Sequence, residues 1–179
     1  PDAVDLSATA GIQASNSYYI NAAEAAAGKS IAVDIQAPVA TDISSLTLTL
    51  SGAGLDALVG KDQLVLDVAQ SLNANIATVS NKTLGGVAVD YSYDATSKTF
   101  TLVKNGGGAF TASLVDDVLK AIQFKTSSTT QGDRTVSIGY TDLAGNAGVV
   151  AVQTLRVDTT APDAVDLSAT AGIQASNSY

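Results

Sequence analysis

The chain has 179 residues, no His, Cys, Met or Trp, and a formal net charge of −8. Without His or Cys the usual hydrolytic triads, thiol chemistry and zinc centres are excluded, and the negative balance speaks against nucleic acid and anionic membrane surfaces, both of which call for Lys and Arg. No apolar stretch approaches the ~18 residues of a membrane-spanning helix, so no membrane insertion is expected.

The residues are rich in Ala, Val, Leu, Ile, Thr, Ser and Gly, a composition suited to strands and turns. "AVDLSATA" (3–10) alternates apolar and polar residues and reads as a strand. "AEAAAGKS" (23–30) has the end of a phosphate-binding loop, but Ala23 stands where its first Gly belongs and a strand pattern follows instead of a helix. That strand is "SIAVDIQA" (30–37). In "SLTLTLSG" (45–52), Leu46, Leu48 and Leu50 fall on one face and Thr47 and Thr49 on the other. "DQLVLDVAQSLNANIA" (62–77) fits a strand or a helix equally, and "NKT" (81–83) is a formal glycosylation acceptor to which we give no weight. A hairpin is predicted next: Val87, Val89, Tyr91 and Tyr93 alternate, 94–98 turn, and Phe100 and Leu102 return. "KNGGG" (104–108) is a further turn.

In "SLVDDVLKAI" (113–122), Leu114, Val115, Val118, Leu119 and Ile122 form one helical stripe, with Ser113 and Asp116 as a weak capping box. Strands "IQFK", "RTVSIGYTD" (134–142) and "VVAVQTLRVD" (149–158) follow, the last two joined at "DLAGNAG". Many strands with one or two short helices predict an all-β fold, a two-sheet β-sandwich. Leu119, Ile122, Phe124, Val136, Ile138 and Tyr140 are expected near its core.

The last eighteen residues, "PDAVDLSATAGIQASNSY" (162–179), repeat residues 1–18 without a mismatch. The offset is 162 − 1 = 161 residues. Tandem repetition explains such a copy. Residues 1–161 are then one domain with its linker, and 162–179 the start of the next.

The segment "AFTASLVDDVLKAIQFKTSSTTQGDRTVSIGYTDLAGNAG" resembles the cadherin-like and immunoglobulin-like extender repeats of large bacterial surface adhesins of the RTX type. In those repeats a short helix leads to a strand ending in an aromatic, here Phe124, then a polar loop, "DRTV" and "TDxxGN". "INAAEAAAG" is similar to the repeat's opening and "VDTTAP" to its linkers. The likeness covers most of 20–162 and is loose in 52–85, where the unit carries extra residues. It implies a secreted, cell-surface β-sandwich spacer, flanked by identical repeats in the same chain. Other domains of such an adhesin contact the distal ligand.

The resemblance also implies Ca²⁺ where one sandwich meets the next. Calcium takes six to eight oxygens, commonly from several carboxylates. Of the 17 acids 16 are Asp, the residue of turns and calcium loops, and one is Glu24. Asp158 precedes the joint; Asp163 and Asp166 follow it, as Asp2 and Asp5 do in the first copy. Glu24, Asp142 and Asp133 are the loop acids expected to complete the shell, with pairing to Arg134 as the alternative for Asp133. Asp158 and Asp163 share an ion only if "TTAP" curls back, because an extended linker separates them by about 17 Å. Asp90, Asp94, Asp116 and Asp117 are read as turn or surface residues. No enzymatic activity is expected. The alternative function is a repeat that itself grips a carbohydrate or protein, through 52–85.

Overall fold

The computed structural model describes residues 15–32 and 42–160. Asp2, Asp5, Asp163, Asp166, the strand expected at 3–10 and most of that expected at 30–37 lie outside the described residues.

Two sheets face each other. Seven strands form the larger, in the order β1 (Ser15–Ile20), β11 (Ala151–Val157), β10 (Gly132–Asp142), β3 (Ile43–Ser51), β8 (Thr99–Lys104), β7 (Val87–Asp94) and β6 (Ile76–Leu84). The smaller runs β2 (Lys29–Ser30), β9 (Gln123–Thr126), β4 (Asp62–Val65), β5 (Ala69–Ser71). The expected two-sheet β-sandwich is therefore the fold.

Alternation decides which side chains enter the space between the sheets. Leu46, Leu48 and Leu50 of β3 are buried while Thr47 and Thr49 lie on the outer face, where the Thr49 and Thr99 hydroxyls meet at 2.8 Å. Val87, Val89, Tyr91 and Tyr93 of β7 and Phe100 and Leu102 of β8 are likewise inward. The residues expected in the core, from Leu119 to Tyr140, are all at most 2 % exposed.

Two short helices carry the chain between sheets. Helix α2 (Ala112–Ala121) joins β8 to β9 and turns Val115, Val118 and Leu119 inward. Its cap is Thr111, whose hydroxyl accepts from the Leu114 N–H, and not the expected Ser113. Helix α1 (Ala22–Ala27) joins β1 to β2 and was not expected. Asn21 accepts from the N–H groups of Ala23 and Glu24 while Glu24 accepts from the Asn21 N–H, a reciprocal cap. The stretch 62–77 resolves into β4 and β5 and the start of β6, with no helix.

β1 and β11 are parallel neighbours, paired from Ser15↔Val152 to Ile20↔Val157. The chain thus enters the long sheet at one end, through Ser15, and leaves it at the other, through Val157. We call these the leading and trailing ends.

Candidate functional site

Three of the expected acids lie toward the trailing end without forming one cluster. The Asp158 N–H donates to the Ile20 carbonyl at 3.1 Å, which sets the Asp158 backbone beside the turn into α1. Asp133 lies opposite Arg156 on β11, and Arg156 lies opposite Tyr19 on β1 with its guanidinium 5.9 Å from the Tyr19 ring centre. Asp133 does not pair with Arg134: alternation turns Arg134 inward, onto Asp62.

Glu24 is already engaged. The Lys29 ammonium sits 2.8 Å from its Oε1 and also donates to the Tyr19 carbonyl, and with the Asn21 N–H it holds the Glu24 carboxyl below the usual carboxylate range. Tyr18, on the inward side of β1, donates to the Ser30 carbonyl. Its phenol is pushed up, first by burial and then by the Glu24 charge.

The residues leaving the domain are docked on it. Gln131 donates to the Thr159 hydroxyl and accepts from the Thr159 N–H, both at 2.9 Å. The Thr160 N–H donates to the Asp158 carboxylate at 3.1 Å. Beneath them lies a buried polar cluster. Asp62 receives Arg134 Nε at 3.1 Å, the Thr126 hydroxyl at 2.6 Å and the Asp56 N–H at 2.8 Å, while Arg134 donates to the Gly132 carbonyl. The cluster fastens segment 52–62 to the first residues of β10, with the Asp62 side chain fully buried.

Asp142 is elsewhere. It ends β10 nine residues beyond Asp133, about 30 Å along the strand, at the leading end. There it closes the "DLAGN" turn, accepting from the Asn146 N–H at 2.8 Å and the Asn146 amide at 2.9 Å. Those bonds, the side-chain one foremost, hold the Asp142 carboxyl below its ordinary range. One copy therefore cannot bring Asp142 to Asp158 and Glu24.

Among the described residues no three acids gather as a metal site. No helix among them is long and apolar enough to cross a membrane. Sequence reading missed Gln131, which carries no local signature, and the Asp62–Arg134 pair, whose members are 72 positions apart. It had a signal for the α1 cap, since Asn21 stands three residues before Glu24. The chain matches no family model, and no curated protein matches it in sequence.

Proposed function

We propose that the chain is a spacer unit of a tandem array in a secreted bacterial surface adhesin, with Ca²⁺ rigidifying the joints between units so that the array projects a distal ligand-binding region. The observation that carries this reading is the parallel pairing of β1 with β11. Parallel neighbours put entry and exit at opposite ends, so each copy advances the chain by the height of its sheet. Eleven residues of β10 at about 3.4 Å each give about 37 Å. The exact copy of 1–18 at 162–179 supports this reading as the opening of a next unit.

The stiffness has two sources in this reading. Gln131 and Asp158 hold Thr159 and Thr160 to the sandwich, and a proline at 162 fixes its own φ and disfavours helical backbone in the residue before it. Calcium supplies the rest. The ligands proposed are Asp158 and Glu24 of one copy, with Asp133 beside them, Asp163 and Asp166 of the linker, and Asp142 of the following copy. Lys29 must release Glu24 for that carboxylate to bind.

The test is small-angle scattering of chains with two, three and four copies. Rod-like particles lengthening by about 40 Å per copy with calcium, and becoming shorter or more variable with a chelator, are expected. A maximum dimension that grows as roughly the square root of copy number in both conditions overturns the spacer reading.

A further inference from the structure

At the leading end, residues after β10 expose three aliphatic side chains: Leu143 at 60 %, Val149 at 58 % and Val150 at 49 %. Aliphatic residues in a turn connection are not required by the turn itself. Asp142 and Asn146 set its shape, and the Gly145 N–H donates back to the Asp142 carbonyl at 3.1 Å. The turn is also anchored sideways, because the Leu143 N–H donates to the Asp42 carbonyl at 2.9 Å. Leu143 is thus held outward on a fixed frame.

The trailing end has its own exposed aromatic, Tyr19 at 65 %, at the end of β1 beside Arg156. Tyr19 helps line a shallow recess with Gln131, Asp133, Arg156 and Asp158. Each end therefore carries exposed apolar surface and at least one acid: Leu143, Val149 and Val150 with Asp142 at one, and Tyr19, on the edge strand β1, with Asp133 and Asp158 in its recess at the other. Exposed apolar side chains beside polar ones suit a protein interface.

We infer that Leu143, Val149 and Val150 of one copy pack against the trailing end of the copy before it, with Tyr19 of that preceding copy as the main partner. This rests on the tandem-array reading, and it names the contact that reading lacks. The occupant follows from chain continuity. The chain leaves through Val157 at the trailing end, each described copy enters its long sheet at the leading end through Ser15, and eighteen residues, 158–175, separate Val157 from Ser176, the counterpart of Ser15 in the repeated sequence. Those two ends are the ones the linker ties together. The contact gives direction to the joint: calcium neutralises the acids, and the apolar side chains fix which faces meet.

The test uses a chain of two copies, residues 1–161 followed by 1–179. Only the second copy has a predecessor. Leu143→Asp with Val149→Asp is placed in the first copy alone or in the second alone, and each chain is measured by small-angle scattering and thermal unfolding at saturating calcium. The same pair in the 179-residue chain controls for folding and is expected to leave its melting temperature within a degree or two. In the second copy the substitutions are expected to widen the distribution of dimensions and remove any rise in melting temperature over the single unit. In the first copy they are expected to change neither. Equal effects in both positions overturn the contact, because the loop is then covered within its own copy. No effect in either position overturns it too. If the unsubstituted chain is nevertheless rod-like with calcium, the spacer reading survives that failure; if it is flexible with and without calcium, both fall.

Discussion

Asp62 and Arg134 meet inside the sandwich with neither side chain exposed, Nε to Oδ2 at 3.1 Å. The pair links β4 of the small sheet to β10 of the large one, next to the residues that carry Gln131 and Asp133. Charges removed from water lose solvation, and only close pairing with further hydrogen bonds compensates. Thr126 and the Asp56 N–H supply those bonds. Removing one partner strands the other, so Arg134→Met or Asp62→Leu alone is expected to cost about 3–5 kcal/mol in urea unfolding. The double variant Asp62→Leu/Arg134→Met is expected to recover much of that loss. A double variant as unstable as the sum of the singles would show that the charges do not act as a pair.

Gly85 and Gly86 make the turn between β6 and β7, both with positive φ, at 58° and 82°. They differ in what lies beside them. A Cβ on Gly85 would overlap the Asp117 carbonyl of α2, whereas one on Gly86 meets nothing. Gly86→Ala is therefore expected to cost about 1 kcal/mol from backbone conformation. Gly85→Ala is expected to cost more, about 2–3 kcal/mol or above, because helix or hairpin must move. Equal losses in denaturant titrations would mean that the hairpin turn does not touch α2.

Much of this architecture was legible because burial and alternation report the same thing. The leucines of β3 and the tyrosines of β7 could face only the core, and the stripe from Leu114 to Ile122 could only be helical. The 62–77 stretch was not legible, because Leu64 and Leu66 suit either period and the choice is made by pairing of β4 with β9, about sixty residues away. α1 was missed because six residues of mostly Ala carry little stripe, and its cap is the informative part. Arg134 was considered only as a partner for Asp133, because its true partner, Asp62, lies 72 positions away. The candidate acids were legible as residue types but not as neighbours. The antiparallel β10–β11 pairing, which puts Gly132 opposite Val157, shows that Asp158 and Asp142 belong to opposite ends.

Acid stability follows from the hydrogen-bonded carboxylates. Asp142 is held low by the Asn146 side chain, Asp94 by the Thr96 N–H and Asp56 by the Ser128 hydroxyl, in each case chiefly. A carboxyl with a lowered folded pKa binds fewer protons folded than unfolded. Its contribution is present above the ordinary carboxylate pKa of about 4 and is lost as pH falls through the folded value. The melting temperature is expected to be level from neutral pH to about 5 and to fall steeply below about 4. Asn146→Ala is expected to lower it at neutral pH, with the difference from wild type closing as Asp142 protonates. A difference that stays constant down to pH 2.5 would show that Asn146 acts without the Asp142 charge.

The geometry of the ends makes the calcium proposal position-specific. Calcium is held by oxygens within about 2.6 Å, so acids about 30 Å apart in one copy cannot share it. If Asp142 and Asp158 serve the same ion, they must come from different copies. In a two-copy chain the single joint then uses Asp158 of the first copy and Asp142 of the second. Asp158→Ala in the first copy, or Asp142→Asn in the second, is expected to abolish calcium-dependent extension and to weaken calcium binding in calorimetry. Asparagine is chosen at 142 because it removes the charge while keeping an oxygen that can accept from Asn146. The mirrored substitutions, Asp142→Asn in the first copy and Asp158→Ala in the second, are expected to leave the joint intact, since those residues face away from it. If the mirrored pair has the same effect as the joint pair, the ions bind within copies and not between them. If none of the four substitutions changes calcium uptake or particle length, these acids serve only to keep the surface charged, and the stiffness of the array must rest on Gln131, the proline and the apolar contact alone.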